Sequence, residues 1–141
     1  MAVVVDSSIS MKWLFEDEAT PATAKLLDSL RDDSLVVPSL WLHEVASVLL
    51  VAERRGRISA NDADEFVRML RTLSLEIDYP GFDRAIRVSS QLARDHALTP
   101  YDAAYLELAQ RMQLPLATLD VALVKAAKVL GIEVLPPSLN S

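Results

Sequence analysis

Ala2-Val3-Val4-Val5-Asp6-Ser7-Ser8 follows the initial Met1: an apolar run, mostly β-branched, passes straight into an acid and two hydroxyls. A strand with one wet face alternates apolar with polar residues. An unbroken apolar run this short suits a strand covered on both faces, and that setting belongs to parallel sheets. The pattern returns at Leu35–Val37, Leu73–Ile77, Leu114–Ala117 and Ile132–Leu135. Between these runs the spacing predicts helices over Ser8–Glu16, Ala22–Arg31, Leu40–Arg55, Ala60–Leu73, Phe82–His96, Tyr101–Met112 and Val121–Leu130. Alternating strands and helices imply an α/β fold: one domain over residues 1–141, an α/β/α sandwich around a parallel sheet of about five strands. Right-handed crossovers allow the order 3-2-1-4-5, which sets the first and fourth strands side by side.

Composition agrees with one packed core. The chain has 141 residues, 51% hydrophobic and 24% charged, too apolar for disorder. Its net charge of −6 opposes an electrostatic grip on a nucleic-acid backbone, so an activity on nucleic acid needs another source of positive charge. Without cysteine there is no disulfide, no thiolate nucleophile and no Cys-bound zinc, which fits a reducing compartment. The N-terminus reaches Asp6 with no basic region before it, unlike a signal peptide. No segment approaches the ~20 apolar residues of a membrane span. The expected location is cytoplasmic, with no membrane partner.

Helix ends are written locally. Thr99-Pro100-Tyr101-Asp102 puts Thr at an N-cap, Pro at the first helical position and an acid three residues after the cap. Gly56 and Gly131 stand where helices stop, and Pro136-Pro137-Ser138 starts a frayed tail.

The informative residues are acids. Asp6 ends the first strand, and Asp120 follows the fourth just before a helix. Asp102 lies in the first turn of its own helix, and Glu44 shares a helical stripe with Trp41, Val48 and Val51. Each has a bland explanation: Asp6, Asp102 and Asp120 as caps, Glu44 as a rim residue or ion-pair partner. Together they matter more, because strand ends and following helix starts gather on one edge of a parallel sheet, where ligands bind. Carboxylates gathered there repel unless protonated or bridged by cations, and oxygen ligands without Cys or a His cluster select Mg²⁺ or Mn²⁺. Ser7 or Ser8 and Thr118 flank Asp6 and Asp120, where they can orient a carboxylate, a water or a phosphate oxygen; the bland reading of each is a local turn bond.

The segments VVVDSSISMKWLFEDE, VPSLWLHEVASVLL, TPYDAAYLELAQ and LATLDVALVKAAKVLGIEVL resemble, in order and spacing, the four acidic motifs of the PIN-domain family, in particular its VapC-type toxin ribonucleases. The resemblance implies a PIN-like sandwich and a Mg²⁺- or Mn²⁺-dependent endoribonuclease. It also implies a homodimer, held inactive by a cognate antitoxin protein. Carried over position by position, Asp6, Glu44, Asp102 and Asp120 form the catalytic and metal-binding quartet. Val121 departs from the basic or polar residue frequent after the last acid, Ala122–Lys125 lacks an additional acid that some members carry, and Ser47 stands where Asn is frequent.

The chemistry has its own argument. Ribonucleases that use the 2′-hydroxyl need acid–base groups near neutrality, usually histidine. Here His43 points about 100° away from Glu44 around their helix, and His96 has no catalytic partner in view. The alternative is hydrolysis of RNA phosphodiester bonds by a carboxylate-bound, cation-activated water. Phosphate still needs basic walls; Lys12 is the first candidate, followed by Arg54, Arg55, Arg57, Arg84, Arg87 and Arg94. Trp13 and Trp41 read as core or interface rather than base-stacking platforms. A phospho-acceptor receiver requires paired acids after the first strand and a Lys after the last, and Asp6-Ser7-Ser8 and Pro136-Pro137 supply neither. An aspartyl phosphatase, with a second acid two residues after the nucleophile, fails at Asp6-Ser7-Ser8 in the same way. A non-catalytic PIN-like interaction module remains as the competitor, because Trp41, Leu49, Leu50, Val51, Phe66 and Leu70 exceed what one helix face needs.

Overall fold

A computed structural model describes residues 1–137. Five parallel strands, β1 (Ala2–Val5), β2 (Ser34–Pro38), β3 (Ser74–Asp78), β4 (Leu116–Ala117) and β5 (Val134–Leu135), form one sheet in the order β3-β2-β1-β4-β5. This is the expected order. Register pairs Val3 with Leu35, Val4 with Leu116 and Val36 with Glu76. Successive strand residues face opposite sides, yet Val3, Val4 and Val5 are all at most 1% exposed, so helices cover both faces of the sheet.

The long helices are α2 (Pro21–Leu30), α3 (Leu40–Arg54), α4 (Ala60–Leu70), α5 (Ser89–His96), α6 (Pro100–Met112) and α7 (Val121–Val129), with a single α turn, α1 (Ser7–Ser10), after β1. Ends follow the local signals. Thr99 caps α6 with Pro100 in its first turn, and Gly56 and Gly131 adopt φ of +70° and +72° just beyond α3 and α7. Helix α6 is the buried spine: Ala103, Tyr105, Leu106, Leu108 and Ala109 are sealed from solvent. Its buried acid Glu107 is answered by Arg111, Nε to Oε1 at 2.8 Å, one turn on.

Two predicted helices differ. In place of one helix over Ser8–Glu16, α1 passes into 3₁₀ turns at Met11–Trp13 and Glu16–Glu18. Ile9, Met11, Trp13 and Phe15 are all buried, and an α-helix would throw residues two apart onto nearly opposite sides. Only a winding, repeatedly turning segment buries all of them. The Phe82–His96 prediction splits into a π-helical turn at Arg84–Val88 followed by α5; no residue of that turn is buried, so no packed face holds it to α pitch. The frayed tail expected to start at Pro136-Pro137-Ser138 does not start at Pro136, which is buried; Ser138 and the residues after it lie outside the described residues.

Candidate active site

The carboxyl ends of β1 and β4 lie together because those strands pair, and the first acid sits there. Asp6 is the N-cap of α1 and only 4% exposed. Its backbone N–H extends the sheet by donating to Ala117 O at 3.1 Å. Oδ1 accepts from Ser8 Oγ at 2.6 Å and from the Ile9 N–H at 3.1 Å, while Oδ2 accepts from the Thr118 hydroxyl. Ser8 Oγ in turn accepts from the Leu119 N–H at 3.1 Å, and Thr118 Oγ1 from the Asp120 N–H at 3.0 Å. These bonds stitch the start of α1 to the chain leaving β4. Asp120 caps α7, its Oδ1 accepting from the Leu123 N–H at 3.0 Å. Asp6 and Asp120 are therefore caps and also neighbours at the sheet edge.

Asp102 and Glu44 arrive on helices. Thr99 Oγ1 accepts from the Asp102 N–H at 3.1 Å, but no reciprocal capping box closes as it does between Ser59 and Asp62 in α4. Glu44 projects from α3, and the Tyr105 hydroxyl donates to its Oε1. Tyr105 lies three residues after Asp102, so both face the same side of α6. The Ser7 hydroxyl lies beside Glu44 and Tyr105, favouring the charged form of each.

Electrostatics tie the acids together. Burial first of all pushes the Asp6 carboxyl above its ordinary value; bonds from Ser8, Thr118 and Ile9 oppose this, and the Asp120 charge adds to it. Glu44 is raised by desolvation, then by the charges of Asp102 and Asp6, against the pull of Tyr105. Asp102 is raised by desolvation and by Asp120. Burial and the adjacent Glu44 push the Tyr105 phenol well above its usual range, so it stays a hydrogen-bond donor. Four acids from four elements thus feel one another across a single site.

The donor set is all carboxylate oxygen, which suits a hard divalent cation. Among the described residues no three or more His, Cys, Asp or Glu side chains stand close enough together, as placed, to hold a metal ion.

Other expected site residues divide. Ser7 and Thr118 lie among the acids, as described. Lys12 takes Glu18 as its ionic partner at 3.3 Å, and Glu18 also holds Arg57 at 2.9 Å, while the Arg57 guanidinium lies over the Phe15 ring. The Trp41 indole is buried and donates to Ser10 Oγ at 2.9 Å. Of the apolar residues suspected of forming an interface, Trp41, Leu49, Phe66 and Leu70 are in the chain's own core, and only Leu50 and Val51 stay exposed. Sequence reasoning missed Tyr105. Its one signal was the three-residue spacing from Asp102, which reads equally well as core.

The sequence and the fold are similar to those of known proteins. The chain is 27% identical over 120 residues to the ribonuclease VapC3 of Pyrobaculum aerophilum, covering 85% of this chain and 90% of that protein. Its fold superposes on the crystal structure of PAE2754 from Pyrobaculum aerophilum with a TM-score of 0.70 at 23% identity, over 99% of this chain and 88% of that one. A toxin–antitoxin complex from Klebsiella pneumoniae contains a chain matching with a TM-score of 0.57 at 21% identity, over 84% of this chain and 86% of that one. A PIN-domain family model matches residues 3–129, so the chain belongs to the PIN-domain family.

Proposed function

We propose that this protein is a Mg²⁺- or Mn²⁺-dependent endoribonuclease, the toxin of a toxin–antitoxin pair, working as a homodimer and neutralised by a cognate antitoxin. The reading rests on one observation above all: Asp6, Glu44, Asp102 and Asp120, from four separate elements, meet at one sheet edge with Asp6, Glu44 and Asp102 held above their ordinary pKa. Burial is the main cause of each rise, with repulsion among the acids added to it, and a divalent cation offsets both by favouring the charged carboxylates. Family membership and the name of the ribonuclease relative support the same activity.

Asp6, Glu44, Asp102 and Asp120 would hold the cation. When bound, it supplies an acidified water and offsets charge on the phosphodiester. The chain's own residues prepare the site: Ser8 and Thr118 fix the Asp6 carboxylate, and Tyr105 fixes Glu44. Ser7 borders Glu44 and Tyr105 where substrate would lie, and Lys12 reaches phosphate on release from Glu18.

The test is digestion of end-labelled RNA by wild type and by Asp6→Ala, with Mg²⁺, Mn²⁺ or EDTA. Expected are products with 5′-phosphate and 3′-hydroxyl ends, formed by wild type only and abolished by EDTA. Cyclic 2′,3′-phosphate ends, or cleavage indifferent to EDTA, would overturn the proposal.

A second reading, an interaction module, is favoured by exposed apolar side chains on α3 (Leu42, Leu50, Val51) and α4 (Val67). An antitoxin needs such a surface too. The two readings part at Asp102→Asn, which leaves growth arrest on induction intact only for the module.

A further inference from the structure

Helix α3, which carries Glu44, is pinned to α1 by a relay that the chemistry so far does not use. The Trp41 indole N–H donates to Ser10 Oγ at 2.9 Å, and the Ser10 hydroxyl in turn donates to the backbone carbonyl of Asp6, also at 2.9 Å. Both side chains are buried, so water does not compete for either bond. The relay therefore runs from the first turn of α3 to the backbone of the residue that supplies the first acid.

Its place in the helix bears on Glu44. Trp41 precedes Glu44 by three residues, which sets the two about 60° apart around α3 and about 4.5 Å apart along it. Ser39, the N-cap of α3, makes no side-chain capping bond, so this end of the helix lacks the usual local anchor. The Asp6 charge is felt at Glu44, so the relay and the two carboxylates bridge the same gap between α1 and α3. Burial alone does not demand such a bond: Trp13 is buried too, and its Nε1 finds no hydrogen-bond partner among the described residues.

We propose that Ser10 and Trp41 are positioning residues for cation binding: their relay holds Glu44 at a set distance from Asp6 and so lowers the cost of gathering the carboxylates round an ion. The proposal deepens the metal-dependent reading of the acidic site and rests on it. Among the described residues no three acids stand close enough, as placed, to hold an ion, so binding draws them together. Asp6 is fixed by bonds to both of its carboxylate oxygens, and the approach is made from the helices. A loose α3 would add its own ordering to the free energy of binding, and the relay removes that freedom beforehand.

Mn²⁺ binding, read by EPR of the free ion, and thermal melting in EDTA compare wild type with Trp41→Phe, Ser10→Ala, the double variant and Trp13→Phe. Trp41→Phe keeps an aromatic ring and removes the donor; the same change at Trp13 removes an indole N–H that has no partner. Trp41→Phe and Ser10→Ala should each weaken Mn²⁺ binding about tenfold, the scale of one buried hydrogen bond. The double variant should lie within about twofold of Ser10→Ala, because both changes break one relay. Trp13→Phe should bind within about twofold of wild type even if its Tm falls. In RNA cleavage the Mg²⁺ concentration giving half the maximal rate should rise about tenfold in Trp41→Phe, with the maximal rate itself kept within about threefold. Unchanged Mn²⁺ affinity in Trp41→Phe or Ser10→Ala, whatever happens to Tm, overturns the proposal and leaves the metal-dependent reading standing. An equal loss in Trp13→Phe also overturns it, by assigning the effect to core packing. If Trp41→Phe gives no cooperative melt, Ser10→Ala decides on the same criteria. A wild type that binds no Mn²⁺ overturns the metal-dependent reading and this proposal with it.

Discussion

The Tyr105 hydroxyl donates to Glu44 Oε1 and so ties α6, which carries Asp102, to α3 across the acidic site. One Glu44 oxygen is committed to that bond. Tyr105→Phe keeps the buried ring and removes the donor, so the Glu44 pKa should climb further from its already raised position and RNA cleavage should fall about tenfold, the cost of one bond to a charged group. NMR titration of Glu44 together with initial rates checks this; a Glu44 titration indistinguishable from wild type would show that the bond does not govern it.

Asp102 is held above its ordinary value by desolvation and by Asp120. Asp102→Asn removes one charge from the repelling set. Thermal melts in EDTA should therefore show a small rise in Tm, on the order of 1–3 °C because the pair is partly screened by solvent, alongside activity reduced by about a hundredfold or more. A lower Tm in EDTA would mean that the acids do not repel in the resting protein.

The raised pKa values of Asp6, Glu44 and Asp102 carry a sign for stability. Above the ordinary carboxylate values of 3.8 and 4.5 the unfolded chain has released protons that the folded site still holds. The folded state therefore loses stability as pH rises from there through the raised values. Denaturation across this window in EDTA should show wild type losing stability relative to Glu44→Gln with increasing pH, and Mg²⁺ should restore it near neutrality. A difference that runs the other way would refute the linkage.

Thr118 is fully buried, donates to Asp6 and accepts from the Asp120 N–H. Thr118→Val conserves shape and removes both bonds, leaving a buried carboxylate short of a donor. Chemical denaturation should show a loss of about 2 kcal/mol, with activity falling in parallel. Stability within 0.5 kcal/mol or so of wild type would mean that water replaces the hydroxyl.

Much of this protein is written in short stretches of its chain. The apolar run of Ala2–Val5, its recurrences and the intervening helices imply a parallel sheet, because strand and helix periodicities are local properties. Thr99-Pro100 announces the start of α6 just as directly. The segment from Ser8 to Glu16 was not legible in this way: it reads as one helix, and only the packed structure shows Ile9, Met11, Trp13 and Phe15 all buried along a winding path.

What the linear chain determined by itself is the set of elements, their order and the four acids at strand ends and helix starts; propensity, capping and periodicity act over a few residues, and such signals survive without a fold. Only the tertiary structure decided that Thr118 meets Asp6, that Tyr105 meets Glu44 and that Lys12 turns to Glu18. The first two pairings span 112 and 61 residues. Contacts at such separations are set by how the crossovers bring α3, α6 and the end of β4 to one edge of the sheet, and no local stretch of residues encodes that meeting.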